Sequence, residues 1–327
     1  MIISRTPFRM SFFGGGTDYP DWYREHGGAV LSTTFDKYTY VSCRELPPFF
    51  DFKYRIAYSR LENTKTIDEI VHPAVRAVLT ETGLTCGLEI HCDADLPARS
   101  GLGSSSSFVV GMLNTIAAFQ GKRVTKQRLA NEAIRIEQDV LSETVGSQDQ
   151  FAAALGGFNL IQFRRDGSIS AEPLIIPNRR RDELDSHLML VFTGFSRYAS
   201  EVAGAQVASM DNHAQSLHRI RSMVDEAVEI LDSPRDIREF GELLHEAWVQ
   251  KRGLTDKISN ESIDSIYEEA RRAGAIGGKL MGAGGGGFMM LFAPPERQEA
   301  IRTALGGLVH VPFNFETSGT QIVHYAP

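Results

Sequence analysis

A chain of 327 residues with 42% hydrophobic and 23% charged side chains can bury a large core and has room for about two domains. Its formal charge of −7 argues against a broad basic footprint for nucleic acid, and no run of about 18 apolar residues points to a membrane span. Three cysteines without a CxxC pair (Cys43, Cys86, Cys92) and a start, Met1–Arg5, unlike a signal peptide lead us to expect reduced thiols and a cytoplasmic setting. In chain order, residues 2–13 read as a strand ending in Met10, Phe12 and Phe13, followed by an irregular loop at Gly14–Asp18. Residues 29–43 read as strands around a turn and 54–60 as another short strand. Ile67 to Leu79 carries helical spacing interrupted at Pro73. Leu88, Ile90 and Cys92 alternate with Glu89, His91 and Asp93, the period of a half-buried strand.

Phe108, Val109, Met112, Leu113, Ile116 and Ala117 then recur at helical spacing, and a second helix runs from an N-cap at Thr125 through Val140. Gly146 breaks it, and a short helix from Phe151 to Leu155 ends at Gly156-Gly157. Residues 158–163 and 169–175 form a hairpin around Asp166-Gly167. Arg179-Arg180-Arg181 reads as a solvated linker, so the expected division is residues 1–183 and 184–327. The second half opens with a strand at 187–192. Two amphipathic helices follow, with apolar stripes Leu217–Leu231 and Phe240–Trp248 that read as core, and Ile263, Ile266, Tyr267 and Ala270 continue a third helix. A glycine-rich stretch, Gly277–Gly287, precedes the strand 288–292. A helix near 295–305 and strands near 308–313 and 320–325 complete an α+β unit. His213 and His218 lie five apart, off the same helical face, and read as surface residues rather than metal ligands.

The chemistry concentrates where the strand at 88–92 gives way to the helix at 108–117, in Leu96-Pro97-Ala98-Arg99-Ser100-Gly101-Leu102-Gly103-Ser104-Ser105-Ser106-Ser107. A helix start exposes unpaired N–H groups and partial positive charge. Gly101 and Gly103 allow a close backbone approach to a bulky anion, and the serines offer hydroxyls for capping, phosphate contacts or a metal ion. The pattern is neither a Walker loop, since no lysine follows the second glycine, nor a dinucleotide fingerprint, since Ser106 stands where a third glycine is required. It reads as a phosphate cradle.

Three segments taken together resemble a known set. Pro7-Phe8-Arg9 through Gly14-Gly15-Gly16-Thr17-Asp18, then Pro97–Ser107, then Lys279-Leu280-Met281-Gly282-Ala283-Gly284-Gly285-Gly286-Gly287-Phe288 are similar, in order, to the three motifs of the GHMP kinases. That family is named for galactokinase, homoserine, mevalonate and phosphomevalonate kinases. The resemblance implies a two-domain α/β (α+β) fold with an N-terminal ribosomal-protein-S5-like unit and a C-terminal ferredoxin-like unit. It also implies transfer of the γ-phosphoryl group of ATP, with Mg²⁺, to a small-molecule hydroxyl. Carried over by position, Pro97, Arg99, Ser100, Gly101, Leu102, Gly103, Ser104, Ser105 and Ser106 bind the nucleotide, and Ser104, Ser105 and Glu137 hold the metal. Asp149 sits at the acceptor hydroxyl with Arg9 beside it.

For the acceptor, the resemblance implies Gly15, Gly16, Thr17 and Asp18 and the backbone at Gly284, Gly285 and Gly286. Gly-Gly-Gly-Thr-Asp stands where galactokinases carry Gly-Glu-His-Thr-Asp, which removes part of the galactose-binding set. The sequence is closer to the branch of heptose 7-phosphate kinases and fucokinase-type enzymes, and Arg197, Lys251 and Arg252 become the cations expected for a phosphate already on the sugar. The expected partners are therefore a sugar phosphate and ATP, in a monomer or homodimer, with no nucleic acid or membrane. A fucokinase- or galactokinase-like hexose 1-kinase and a catalytically silent sugar sensor are the alternatives.

Overall fold

The period-two stretches pair into one large sheet. In the computed structural model, which describes residues 1–194 and 199–327, β1 (Ile2–Phe13) and β2 (Gly28–Glu45) run antiparallel, joined through helix α1 (Pro20–His26). A short hairpin of β3 (Tyr54–Ala57) and β4 (Leu61–Thr64) precedes α2 (Pro73–Thr82). Pro73 does not interrupt this helix but starts it, in the first turn where no partner for an N–H is needed. β5 (Leu88–Ala94) lies antiparallel to β2 and parallel to β3. Helices α3 (Ser104–Phe119), α4 (Lys126–Arg135) and α5 (Gln148–Leu155) follow. Between α4 and α5 the helix at 125–140 widens into a π-helical turn, Ile136–Val140. β6 (Asn159–Phe163) and β7 (Ile169–Pro173) form the hairpin read from Asp166-Gly167, with β6 also paired to β2.

The arginine run is not a solvated linker. It lies in α6 (Asn178–Ser186), where Arg180 is buried and its Nη2 donates to the carbonyls of Ile230 at 2.8 Å and Arg235 at 2.6 Å. The expected division at 183/184 falls inside this helix. A second sheet begins with β8 (Leu188–Phe192), followed by α7 (Ala199–Ala208), α8 (Ala214–Leu231), α9 (Arg238–Arg252) and α10 (Glu261–Ala273). Then come β9 (Gly277–Leu280), β10 (Phe288–Phe292), α11 (Gln298–Ala304) and β11 (Val309–Val311). The antiparallel order β11-β8-β10-β9 and the succession β-α-β-β-α-β are those of a ferredoxin-like unit.

The chain does not finish there. β12 (Phe315–Glu316) pairs with β2 and β13 (Gln321–Tyr325) with β1, so the strand expected to complete the second unit belongs to the first sheet. One apolar cluster crosses both halves. Phe8, Met10 and Phe12 of β1 pack with Leu102, and with Met223, Phe240, Met281 and Phe288 of the second half. Each fully buried side chain of this size contributes about 1.5–3 kcal/mol, so the halves share a core rather than touching through polar surfaces. Among the described residues, no helix is long and apolar enough to cross a membrane.

Candidate active site

The site is assembled from β1, the start of α3, the start of α5 and the glycine-rich crossing after β9. Arg9 faces away from the core cluster that holds its neighbours Phe8 and Met10. Its Nε and Nη2 donate to the two oxygens of Asp149, both at 2.7 Å, and its Nη1 donates to the carbonyl of Gly101 at 2.7 Å. The Arg9 side chain is 5% exposed and that of Asp149 22%, so the arginine is spent on holding while the carboxylate keeps an open edge. Such a fork gives direction as well as strength. Asp149 stands in the first turn of α5, where the helix dipole also favours its charge.

The cradle closes against that pair. Arg9 N donates to the carbonyl of Leu102, and the Leu102 side chain is buried in the core. Gly103, at φ +77°, precedes α3, and a Cβ there would come within 3.2 Å of both Arg9 Cγ and Asp149 Oδ2. The helix begins without a side-chain cap, so the serines do not serve the capping role the sequence left open. Ser104 Oγ accepts from Arg99 N, Ser106 donates to Glu137, and Ser107 donates to the Pro7 carbonyl. Pro97 and Arg99 lie on the exposed rim, and Ser100 is buried beneath it.

Glu137 lies in the π-helical turn, fully buried. Its Oε2 accepts from Ser106 Oγ at 2.8 Å and Gln150 Nε2 at 2.6 Å, whereas Oε1 is buried with no partner among the described residues. Burial pushes its pKa up to about 7, although hydrogen bonds from Gln150 and Ser106 oppose the shift. A buried carboxylate with a free oxygen beside serine hydroxyls at a helix start fits a hard divalent cation shared with phosphate oxygens. Among the described residues there is no group of three or more His, Cys, Asp or Glu that could hold a metal ion.

The first glycine loop lies alongside. Asp18 is buried, with Oδ1 accepting from Gly16 N at 2.9 Å and Oδ2 from Gln148 Nε2 at 2.8 Å. Burial, then the negative charge of Asp149, raises its pKa. Thr17 was expected at the substrate, but its hydroxyl donates to the carbonyls of Gly14 and Ala29 and fixes the loop to β2. Gly15 is the most open of the three glycines.

Two buried lysines hold the third segment. Lys251 Nζ donates to the carbonyls of Leu280, at 3.1 Å, and Gly282. Burial and the neighbouring Arg9 lower its pKa to about 7. Lys279 Nζ donates to the Phe12 carbonyl at 2.9 Å, bolting β9 to the end of β1, and its pKa is also pushed down by burial, then by Lys251 and Arg9. The sequence placed Lys279 in a motif without giving it a role; a lysine between glycines and Leu280 in an otherwise buried strand was the available signal. Gly285 N donates to the Ile258 carbonyl, and Gly284 packs on the same residue. Gly286 has φ +152°. These glycines shape a backbone crossing. Arg252 pairs with Asp264 at 3.0 Å and is not brought to Asp149 by any contact among the described residues. Arg197 lies outside the described residues.

The family model for the GHMP kinases N terminal domain matches residues 69–157, and that for the GHMP kinases C terminal matches residues 223–309. In this order they cover more than half of the chain, and they include the cradle and the pair of Glu137 and Asp149. The chain is a GHMP kinase. It is therefore a phosphotransferase of a family that uses ATP as its donor. A D-glycero-alpha-D-manno-heptose 7-phosphate kinase of Campylobacter jejuni is 29% identical over 315 residues, 93% of each chain. A bifunctional fucokinase/GDP-fucose pyrophosphorylase of Arabidopsis thaliana is 26% identical over 91% of this chain but only 30% of its own. A crystal structure described as a D-glycero-D-manno-heptose 1-phosphate kinase from Bacteriodes thetaiotaomicron matches with a TM-score of 0.82 over the whole of both chains, at 26% identity.

Proposed function

We propose that this kinase phosphorylates the anomeric C1 hydroxyl of D-glycero-D-manno-heptose 7-phosphate with MgATP, giving the 1,7-bisphosphate for nucleotide-activated heptose synthesis. The observation that carries the reading is the Arg9–Asp149 fork set against the Gly101–Ser106 cradle. Asp149 is placed to accept the acceptor hydroxyl's proton or orient it, an effect usually worth about 10²–10⁴ in rate. Arg9 keeps that carboxylate aimed, and through Gly101 ties it to the nucleotide side. The amides at the start of α3 receive phosphate oxygens. Glu137 with Ser104 and Ser105 would hold Mg²⁺, which when bound offsets charge on the phosphates. Asp18 and Gln148 form the sugar side. We further propose a cytoplasmic enzyme, monomeric or homodimeric, folded as two units that divide near α6, with the C-terminal strands returned to the first.

The two heptose relatives are named for substrates phosphorylated at opposite ends. ADP release measured with heptose 7-phosphate, heptose 1-phosphate, fucose, galactose and mannose separates the cases. The expected result is highest kcat/KM with the 7-phosphate. Preference for the 1-phosphate would move the accepting hydroxyl to C7, and preference for a neutral sugar would favour the fucokinase-type reading that the Arabidopsis relative supports. Binding of ATP and sugar without ADP would favour a silent sensor.

A further inference from the structure

Gln148 occupies the step of α5 next to Asp149, and it is nine-tenths buried. Its Nε2 donates to Asp18 Oδ2 at 2.8 Å, and because a carboxylate only accepts, that bond fixes which end of the amide is which. The other end, Oε1, is buried with no partner among the described residues. Ser11 follows Arg9 by two residues and so lies on the same face of β1, and its Oγ is also buried and unpartnered. Gly15 lies between them: a Cβ there would sit 3.8 Å from both Gln148 Nε2 and Ser11 Oγ, ordinary van der Waals contact. The neighbouring Asp18 is held by Gly16 N, so amide oxygen and carboxylate form one rigid, acceptor-rich edge.

We propose that Gln148 is a specificity-determining residue whose Oε1 accepts a hydroxyl of the sugar while Asp18 accepts a neighbouring one. The ligand class is a vicinal diol of a pyranose, presented with its reacting hydroxyl at Asp149. This rests on the reading of the chain as a sugar kinase. A site built around a hydrogen bond rejects an analogue lacking the group far more strongly than an apolar pocket does, because the protein atom is left unpaired.

The test compares wild type and Gln148→Met, a near-isosteric change that removes the acceptor, on D-glycero-D-manno-heptose 7-phosphate and its ring monodeoxy analogues. Mannose and fucose with their monodeoxy forms extend the series to whichever sugar is turned over. The expected result is at least 100-fold lower kcat/KM for one monodeoxy analogue with wild type, narrowing to under 10-fold in the variant. The sugar KM should rise while the ATP KM stays within about threefold. An unchanged discrimination ratio with a fall confined to kcat would overturn the proposal, leaving Gln148 as support for Asp149 or as a partner of buried water with Ser11. If the methionine variant does not fold, wild type alone judges the proposal: discrimination below 10-fold against every ring monodeoxy analogue overturns it. Failure of heptose phosphate as substrate sinks the proposed reaction alone, since the hexose series still judges Gln148.

Discussion

Arg9 connects three parts of the site with one guanidinium: both oxygens of Asp149 and the carbonyl of Gly101. Asp149→Asn keeps the shape but loses the charge, so kcat should fall by about 10²-fold or more with ATP affinity nearly unchanged. Steady-state kinetics and ATP calorimetry check this, and an unchanged kcat would remove Asp149 from proton handling. Lys251 gives a pH prediction. Its pKa is near 7 when folded and 10.5 when unfolded, so between those values the unfolded chain binds the extra proton and stability rises with pH. Relative to Lys251→Met, wild type should gain on the order of 1 kcal/mol per pH unit above pH 7, seen as diverging melting temperatures. Motif residues were legible at this scale. Gln148, Lys251 and Lys279 were not fully so, because their roles depend on which carbonyl or carboxylate a distant element presents.

The second and third glycine segments meet backbone to backbone. A Cβ on Gly101 would lie 2.4 Å from the Met281 carbonyl, and one on Gly287 2.3 Å from that of Ser100. Gly101, at φ +80°, also needs the left-handed region. Gly101→Ala should therefore push the crossing apart, costing about 2–4 kcal/mol in denaturant unfolding and raising the ATP KM several-fold. Gly146→Ala is a sharper case for the sugar side, since its Cβ would fall 1.9 Å from Asp18 Oδ2. There the sugar KM should rise more than the ATP KM. Local pattern gave the alternating strand Leu88–Ala94 and the Asp166-Gly167 hairpin, because both are written in neighbouring residues. It misread Pro73 and Arg180. The first needed the helix phase, and the second needed the carbonyls of Ile230 and Arg235, some fifty residues away.

At the scale of the molecule, the end of the chain closes the sheet that its beginning opens. No local periodicity announces this, since β13 reads as one more short strand until its partner β1 is known. The return is anchored by more than the ladder. Thr320 Oγ1 shares a 2.8 Å hydrogen bond with Thr6 Oγ1 and accepts from Asn114 Nδ2. Thr320 N donates to the Ala153 carbonyl, and Gly319 sits so close that a Cβ would lie 2.1 Å from the Ala154 carbonyl. Thus the tail is packed on α5, the helix that starts with Gln148 and Asp149. Removing residues 317–327 would bare one edge of β1 and loosen α5 from outside the site. We expect lowered melting temperature and faster amide exchange in both α5 and β1, together with a kcat loss larger than the change in ATP KM. The second sheet, β8 to β11, should keep its exchange protection, because none of its strands pairs with the tail. Exchange mapped by mass spectrometry distinguishes the cases: uniform loss across both sheets would mean that the shared core, not the returning strand, is what the tail supports.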